Sequence, residues 1–360
     1  MKKVFISDCE GPISKNDNAY EVTSEFISNG DKLYSVISRY DDILADVLKR
    51  PGYKAGYTLK FILPFMKAYD VTDKKMQEFA NRNLVLISNA GITLKYVRSI
   101  AHAFVVSTSY EHYIKALCRA LDFPFENTYC TKVSIDRYHI AEQEKNCLKE
   151  LAGEIAQMPM IEIPQNAKST EDFSRDDQMT IQRLNQIFWK EIANMQSGRA
   201  YHEVTPMGAG EKAEAIEHVA RKLEVRLDDV MYVGDSITDE KAFKLVKDNH
   251  GLAVSFNGNR YAVSSAEIAV LSEDSTPTAI IADIFCRFGK QETMRVAESW
   301  SKEGLKKSQV NPILLERLFR IYPNGLSKVK VVTGENVETL AKESSEFRKK
   351  VRGEAIGRLG

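Results

Sequence analysis

The sequence predicts an α/β fold, a parallel sheet buried on both faces, with mostly helical insertions and a helical C-terminal extension. Three observations predict it. Short apolar runs at residues 4–7, 103–106, 230–233, 252–256 and 268–271 recur between amphipathic stretches. Three of these runs end in polar side chains: Asp8 and Glu10, Ser107 and Thr108, Asp235 and Asp239. In open parallel sheets ligands collect at the carboxyl ends of the strands, so residues far apart in sequence are expected to meet there.

The elements follow in order. Residues 4–7 read as a buried strand that stops at the turn Asp8-Cys9-Glu10-Gly11-Pro12. Residues 18–85 read as helical, with Val22, Phe26 and Ile27, then Ile43, Leu44, Val47 and Leu48, at helical spacing. Pro51-Gly52 breaks that stretch. A helix near Leu94 leads to the strand at 103–106, which ends in Ser107-Thr108-Ser109. Tyr113, Ile114, Leu117 and Leu121 then mark one face of a helix. Residues 140–200 are polar and helix-prone, a second insertion containing the loop 166–172. An amphipathic helix at 213–223 precedes the strand at 230–233, which ends in Gly234-Asp235. The strand at 252–256 runs into the turn Asn257-Gly258-Asn259, and 268–271 is a fifth strand. Residues 291–360 form a helix-prone tail with 14 Lys+Arg and 9 Asp+Glu.

Composition narrows the function. The 360 residues carry 50 Lys+Arg and 50 Asp+Glu, and a chain with zero formal charge lacks the basic excess that phosphate neutralisation on nucleic acid needs. No apolar run approaches the ~18 residues of a membrane helix, and Asp8 ends the N-terminal run far short of a signal peptide, so a cytoplasmic protein without a membrane or nucleic-acid partner is expected. The five cysteines are odd in number and contain no C-x-x-C, which points away from a disulfide framework or structural zinc. A length of 360 residues suggests two domains with an appendage.

Four elements, in this order, resemble the motifs of the haloacid dehalogenase (HAD) superfamily: Asp8-Cys9-Glu10-Gly11, Ser107 after an apolar strand, Lys212 in Gly210-Glu211-Lys212, and Gly234-Asp235-Ser236-Ile237-Thr238-Asp239. The stretch from Lys212 through Asp239 to Asn257 looks like the phosphoserine-phosphatase-type branch. The resemblance implies a Rossmann-like core at 1–13 and 90–290 with a helical insertion around 140–205, a helical cap at 14–89, and a helical extension at 291–360. The chain also looks similar to an uncharacterised archaeal HAD group named after an energy-converting hydrogenase subunit, a link that no residue explains.

The resemblance implies a Mg²⁺-dependent phosphatase acting on a small phosphorylated metabolite. A phosphate ester repels an attacking carboxylate, and a divalent cation removes that repulsion. Asp8 would be the nucleophile, forming an aspartyl-phosphate, and Glu10 the general acid and base. Lys212 would balance charge at the nucleophile, while Ser107, Thr108 and Asn257 would hold the phosphoryl group. Asp8, Glu10 (through its carbonyl), Asp235 and Asp239 would gather around the cation, with Asp239 alternatively positioning Lys212. Arg39, Arg50, Lys54 and Arg82 are candidate anchors for an acidic substrate.

Some alternatives stay open at this level. The apolar run ends ambiguously, so Thr108 competes with Ser107, and Ser88-Asn89 after 84–87 is a rival second motif. Glu10 stands where most phosphatases of the superfamily carry Asp, and Pro12 stands where Thr is usual. These departures leave room for a catalytically weak HAD-like subunit that binds a protein partner through 140–205 or the tail. Glu10 also leaves room for an enolase-phosphatase-like enzyme, a group that shares Asp-x-Glu-Gly.

Overall fold

Strand β1 (Val4–Ser7) sits where its side chains demand cover on both sides. All four are buried, with Val4 and Ile6 in one apolar cluster and Phe5 in another. The alternation repeats in β2 (His102–Tyr110), where Phe104 and Val106 face one cluster and Ala103 and Val105 the other. It repeats again in β4 (Val230–Gly234), with Tyr232 on one side and Met231 and Val233 on the other. Strands apolar on both faces are stable only between two layers of helices. Ile216 and Val219 of helix Ala209–Lys222 and Phe243 of helix Glu240–Asp248 supply one layer. Leu94, Ile114, Leu117, Ile281 and Phe285, from helices Ala90–Ile100, Glu111–Leu121 and Thr276–Phe288, supply the other.

The computed structural model describes residues 3–357. With β3 (Thr128–Thr131), β5 (Leu252–Phe256), β6 (Ile268–Leu271) and β7 (Lys328–Val331), the sheet has seven strands in the order β3-β2-β1-β4-β5-β6-β7. Only β7 runs antiparallel to its neighbour. The register pairs Ser7 with both Val105 and Val233, so β1 and β4 end side by side while β2 continues past them. This is the α/β architecture expected from the apolar runs, with the Rossmann-like core that the resemblance implied.

The structure departs from the sequence reading in three places. The second strand runs on to Tyr110 through a register irregularity between Val106 and Tyr110, where the Ser107 hydroxyl accepts the Ser109 N–H at 3.2 Å. Strand β3 lies where no strand was expected; Thr-Tyr-Cys-Thr is too short and too mixed to announce one. The tail is helical but also contributes β7, whose Lys-Val-Lys-Val alternation buries only Val329 fully.

The insertions have a core of their own. One apolar cluster unites side chains from Ala19 to Phe79 with others from Val133 to Val204. At its centre Phe61 stacks on Phe188 at 4.7 Å and Phe188 on Tyr40 at 5.7 Å. The chain enters and leaves the first insertion through two paired segments. Lys15 N–H donates to the Val85 carbonyl at 2.8 Å, Ile87 N–H to the Ile13 carbonyl at 2.9 Å, and Val85 N–H to the Asn16 side chain at 2.7 Å. At the second crossing Met207 N–H donates to the Thr131 hydroxyl at 2.9 Å. Among the described residues no helix is long and apolar enough to cross a membrane.

Candidate active site

Asp8 is the first residue beyond β1 and Asp235 the first beyond β4, and the shared register brings both to one edge of the sheet. One carboxylate oxygen from each of Asp8, Asp235 and Asp239 lies within 4.8 Å of the others. All three residues are buried. Burial of like charges at that spacing is costly without a cation among them. Part of the compensation is Lys212 on helix Ala209–Lys222, a fully buried side chain whose ammonium donates to Asp8 Oδ2 at 2.5 Å and to Asp239 Oδ1 at 2.7 Å.

Asp239 is held from every side. Its Oδ1 also accepts the Tyr232 hydroxyl at 2.6 Å, and its Oδ2 accepts the Asp235 and Ser236 amides at 2.9 and 3.0 Å. Gly11 makes the crowding possible. Its φ of +101° belongs to the left-handed side of conformational space, and a Cβ there would meet Asp235 Oδ2 at 2.1 Å.

The electrostatics follow from burial. Burial raises the Asp8 carboxyl to about 7, against the opposing pull of Lys212. Burial would raise Asp239 too, but the Lys212 ammonium and the hydrogen bonds from Tyr232 and the Asp235 amide together hold that carboxyl below its ordinary value. Burial alone would lower Lys212; the two carboxylates overcome this and keep it protonated. Glu10 is pushed well above the usual carboxylate range by burial and then by Asp17, although its Oε1 accepts the Asn18 N–H at 2.6 Å. A carboxyl so placed can hold a proton near neutrality and give it up to a strong base.

A cavity of about 90 Å³ opens onto this cluster. The core lines it with Asp8, Glu10, Thr108, Asp235 and Thr238, and the first insertion with Asp17, Tyr34, Asp42, Gly56 and Thr58. Thr108 faces the cavity, whereas Ser107 is buried beneath it and is not part of the lining. Asn257 lies outside the lining as well: its side chain accepts the Ser272 N–H at 2.9 Å and donates to the Ser272 carbonyl at 2.8 Å, tying the end of β5 to the end of β6. Ser88 and Asn89, the rival motif, bond instead to Ser275 and Asp274. None of Arg39, Arg50, Lys54 and Arg82 lines the cavity. Lys54 pairs with Glu211, Arg50 stacks on Trp189 at 4.0 Å, and Arg82 is exposed.

Two cations at the site went unread in the sequence. Arg348 and Arg352, on helix Val337–Arg352 of the tail, are both buried. Arg348 donates to the carbonyl and the carboxylate of Asp235, and Arg352 reaches the same carboxylate at 3.0 Å. The signal was a row at four-residue spacing, Leu340, Ser344, Arg348 and Arg352, which sets two arginines on the buried face of an amphipathic helix. Around the cavity the carboxyls of Asp8, Glu10, Asp17, Asp41, Asp42, Asp235 and Asp239 outnumber the cations Lys212, Arg348 and Arg352, an acidic balance that favours a bound cation.

Comparison with known proteins agrees with this architecture. The family model for haloacid dehalogenase-like hydrolases matches residues 75–279. The fold is similar to that of gene product AF1437 from Archaeoglobus fulgidus, with a TM-score of 0.81 at 24% identity over 100% of this chain and 99% of that one. Apo phosphoserine phosphatase superposes with a TM-score of 0.43 at 15% identity over 76% of this chain and 96% of its own. A phospho-aspartyl intermediate analogue of phosphoserine phosphatase gives 0.45 at 14% over 76% and 95%. No curated protein matches the chain significantly. The match spans more than half of the residues and includes Lys212, Asp235 and Asp239, and the chain belongs to the haloacid dehalogenase-like hydrolases.

Proposed function

We propose that the protein is a Mg²⁺-dependent phosphatase that hydrolyses a small phosphorylated metabolite through an aspartyl-phosphate on Asp8. The observation that carries this reading is the convergence of Asp8, Asp235 and Asp239 within 4.8 Å, with Lys212 bonded to the first and third. Asp8, Asp235 and the Glu10 carbonyl are the groups that would hold the cation, and Mg²⁺ suits a site built from a few hard oxygen ligands. When bound, the cation would neutralise charge between an anionic ester and the carboxylates.

The chain's own residues then divide the work. Asp8 attacks phosphorus as the ester P–O bond breaks, and Glu10 gives its proton to the leaving oxygen. The Glu10 carboxylate next takes a proton from a water molecule, whose oxygen attacks the acyl phosphate. Inorganic phosphate leaves, and the Asp8 carboxylate is restored. Lys212 keeps Asp8 oriented, and Asp239 keeps Lys212 in place. Thr108 supplies a hydroxyl toward the phosphoryl group from the cavity wall.

In this reading residues 1–13 and 90–290 form the catalytic core. The insertions at 14–89 and around 140–205, which share one apolar cluster, act together as the cap. Its polar contribution to the lining is acidic and hydroxylic, with no lysine or arginine, so the leaving group is matched by hydrogen bonds rather than by a cationic anchor.

A screen of phosphorylated metabolites together with an aryl phosphate tests the reading. Phosphate release is expected with Mg²⁺, is expected to vanish on chelation, and is expected to be absent in Asp8→Asn. Undetectable release across the panel with every divalent metal would overturn it, as would full activity in Asp8→Asn.

A further inference from the structure

The side chain of Arg352 spends its N–H groups on two different parts of the molecule. Nε donates to the Lys15 carbonyl at 2.9 Å, a terminal nitrogen donates to the Asn16 carbonyl, and the other reaches Asp235 Oδ2 at 3.0 Å. Lys15 and Asn16 are where the chain leaves the core for the first insertion, and they pair there with the returning segment at Val85. Asp235 is the carboxylate at the end of β4 that faces the cavity. A guanidinium is a rigid planar fork, so three acceptors that share one are fixed relative to each other.

Arg348, one turn earlier on the same helix, holds the carbonyl and carboxylate of Asp235. The helix is therefore anchored on Asp235 twice and on the hinge through Arg352. Both guanidinium groups bond Oδ2 of Asp235, so a divalent cation drawing charge from that carboxylate would weaken both contacts. Any change in the hold of Arg352 on Asp235 is transmitted to the Lys15 and Asn16 carbonyls through the fork.

We propose that Arg352 is a positioning residue that couples cation binding at Asp235 to the hinge at Lys15 and Asn16, so that occupancy of the site and the angle of the insertions are linked. The inference rests on the phosphatase reading only in taking Asp235 as a cation ligand. Coupling of this kind is reciprocal: if the cation shifts the hinge, the hinge sets the affinity for the cation.

The test uses the full chain with Mn²⁺ as the probe and no substrate. Mn²⁺ binding is followed by loss of the free-ion paramagnetic signal, and hinge behaviour by hydrogen exchange at the amides of Lys15, Val85 and Ile87. In the wild type, saturating Mn²⁺ is expected to change exchange at these amides by about tenfold, within the range typical of site-to-site coupling. Arg352→Lys keeps the charge but cannot span three acceptors. It is expected to bind Mn²⁺ while its hinge exchange no longer responds. A purely structural arginine would shift hinge exchange equally with and without Mn²⁺. Binding without a response in the wild type would overturn the proposal, and so would a wild-type-sized response in Arg352→Lys; the wild-type measurement decides by itself if the variant does not fold. Failure of the wild type to bind Mn²⁺ would overturn the phosphatase reading, and this inference with it.

Discussion

Lys212 and Asp8, 204 positions apart in the chain, meet at 2.5 Å in a pocket where the lysine has no exposed surface. A buried ammonium is tolerable only because Asp8 and Asp239 both accept from it. Replacing Lys212 by Met would leave two buried carboxylates without their shared partner. We predict a loss of about 3–5 kcal/mol in stability, the usual cost of breaking a buried pair from one side. Denaturant unfolding measures it, and a loss below ~1 kcal/mol would show that the carboxylates find other partners.

The open question between Ser107 and Thr108 has a kinetic answer. Thr108 lines the cavity and Ser107 lies beneath it. Thr108→Val is predicted to lower kcat/KM by about tenfold or more, the effect of losing one hydrogen bond to a charged group. Ser107→Ala is predicted to cost ~1 kcal/mol of stability, because its hydroxyl accepts the Ser109 amide, and to leave turnover of the folded protein nearly intact. Steady-state kinetics on both variants would reverse the assignment if only Ser107→Ala were slow.

These cases show what was legible in the sequence. Asp8 and Asp235 could be read because each stands at the end of an apolar run, where the parallel sheet forces convergence, and Lys212 only through the family resemblance of its motif. That Thr108 and not Ser107 lines the cavity could not be read, because the strand passes through a register irregularity between Val106 and Tyr110. Asn257 stands at a strand end too, yet it bonds across to Ser272, a partner that only the pairing of β5 with β6 reveals. Arg348 and Arg352 were hidden by distance: a basic tail looks solvated until its helix is seen packed with Ser344 donating to the Gly258 carbonyl at 2.7 Å.

Glu21 gives a pH dependence. Burial raises its carboxyl to about 7 from 4.5, against hydrogen bonds from the Asn16 side chain. The folded state therefore holds more protons than the unfolded one between these values. Its contribution to stability is full below pH 4.5 and is lost as pH rises through 7. Glu21→Gln removes the ionisation and keeps an acceptor for Asn16. We predict the variant to be more stable than wild type by ~2 kcal/mol at pH 8, with the difference shrinking toward zero at pH 5. Urea unfolding at the two pH values checks the sign, and an advantage that grew toward pH 5 would contradict it.

Gly11 is the sharpest steric test. Alanine there must adopt a φ of +101° and place its methyl group 2.1 Å from Asp235 Oδ2. We predict that Gly11→Ala loses Mn²⁺ binding, and that it loses about 1–2 kcal/mol of stability from the backbone alone. Titration with Mn²⁺ and thermal unfolding read the two effects separately. Unaltered binding would mean that Asp235 has room to retreat.

The tail strand does more than lengthen the sheet. β7 pairs antiparallel with β6, covering hydrogen-bonding groups that the fully buried run Ile268–Leu271 would otherwise present along a bare rim. On one face β7 carries the exposed Lys328 and Lys330, charges that discourage a further strand from adding. The tail that delivers Arg348 and Arg352 to the cavity thus also guards the sheet against edge-to-edge pairing with neighbouring molecules. A chain cut before it would lose solubility along with its arginines.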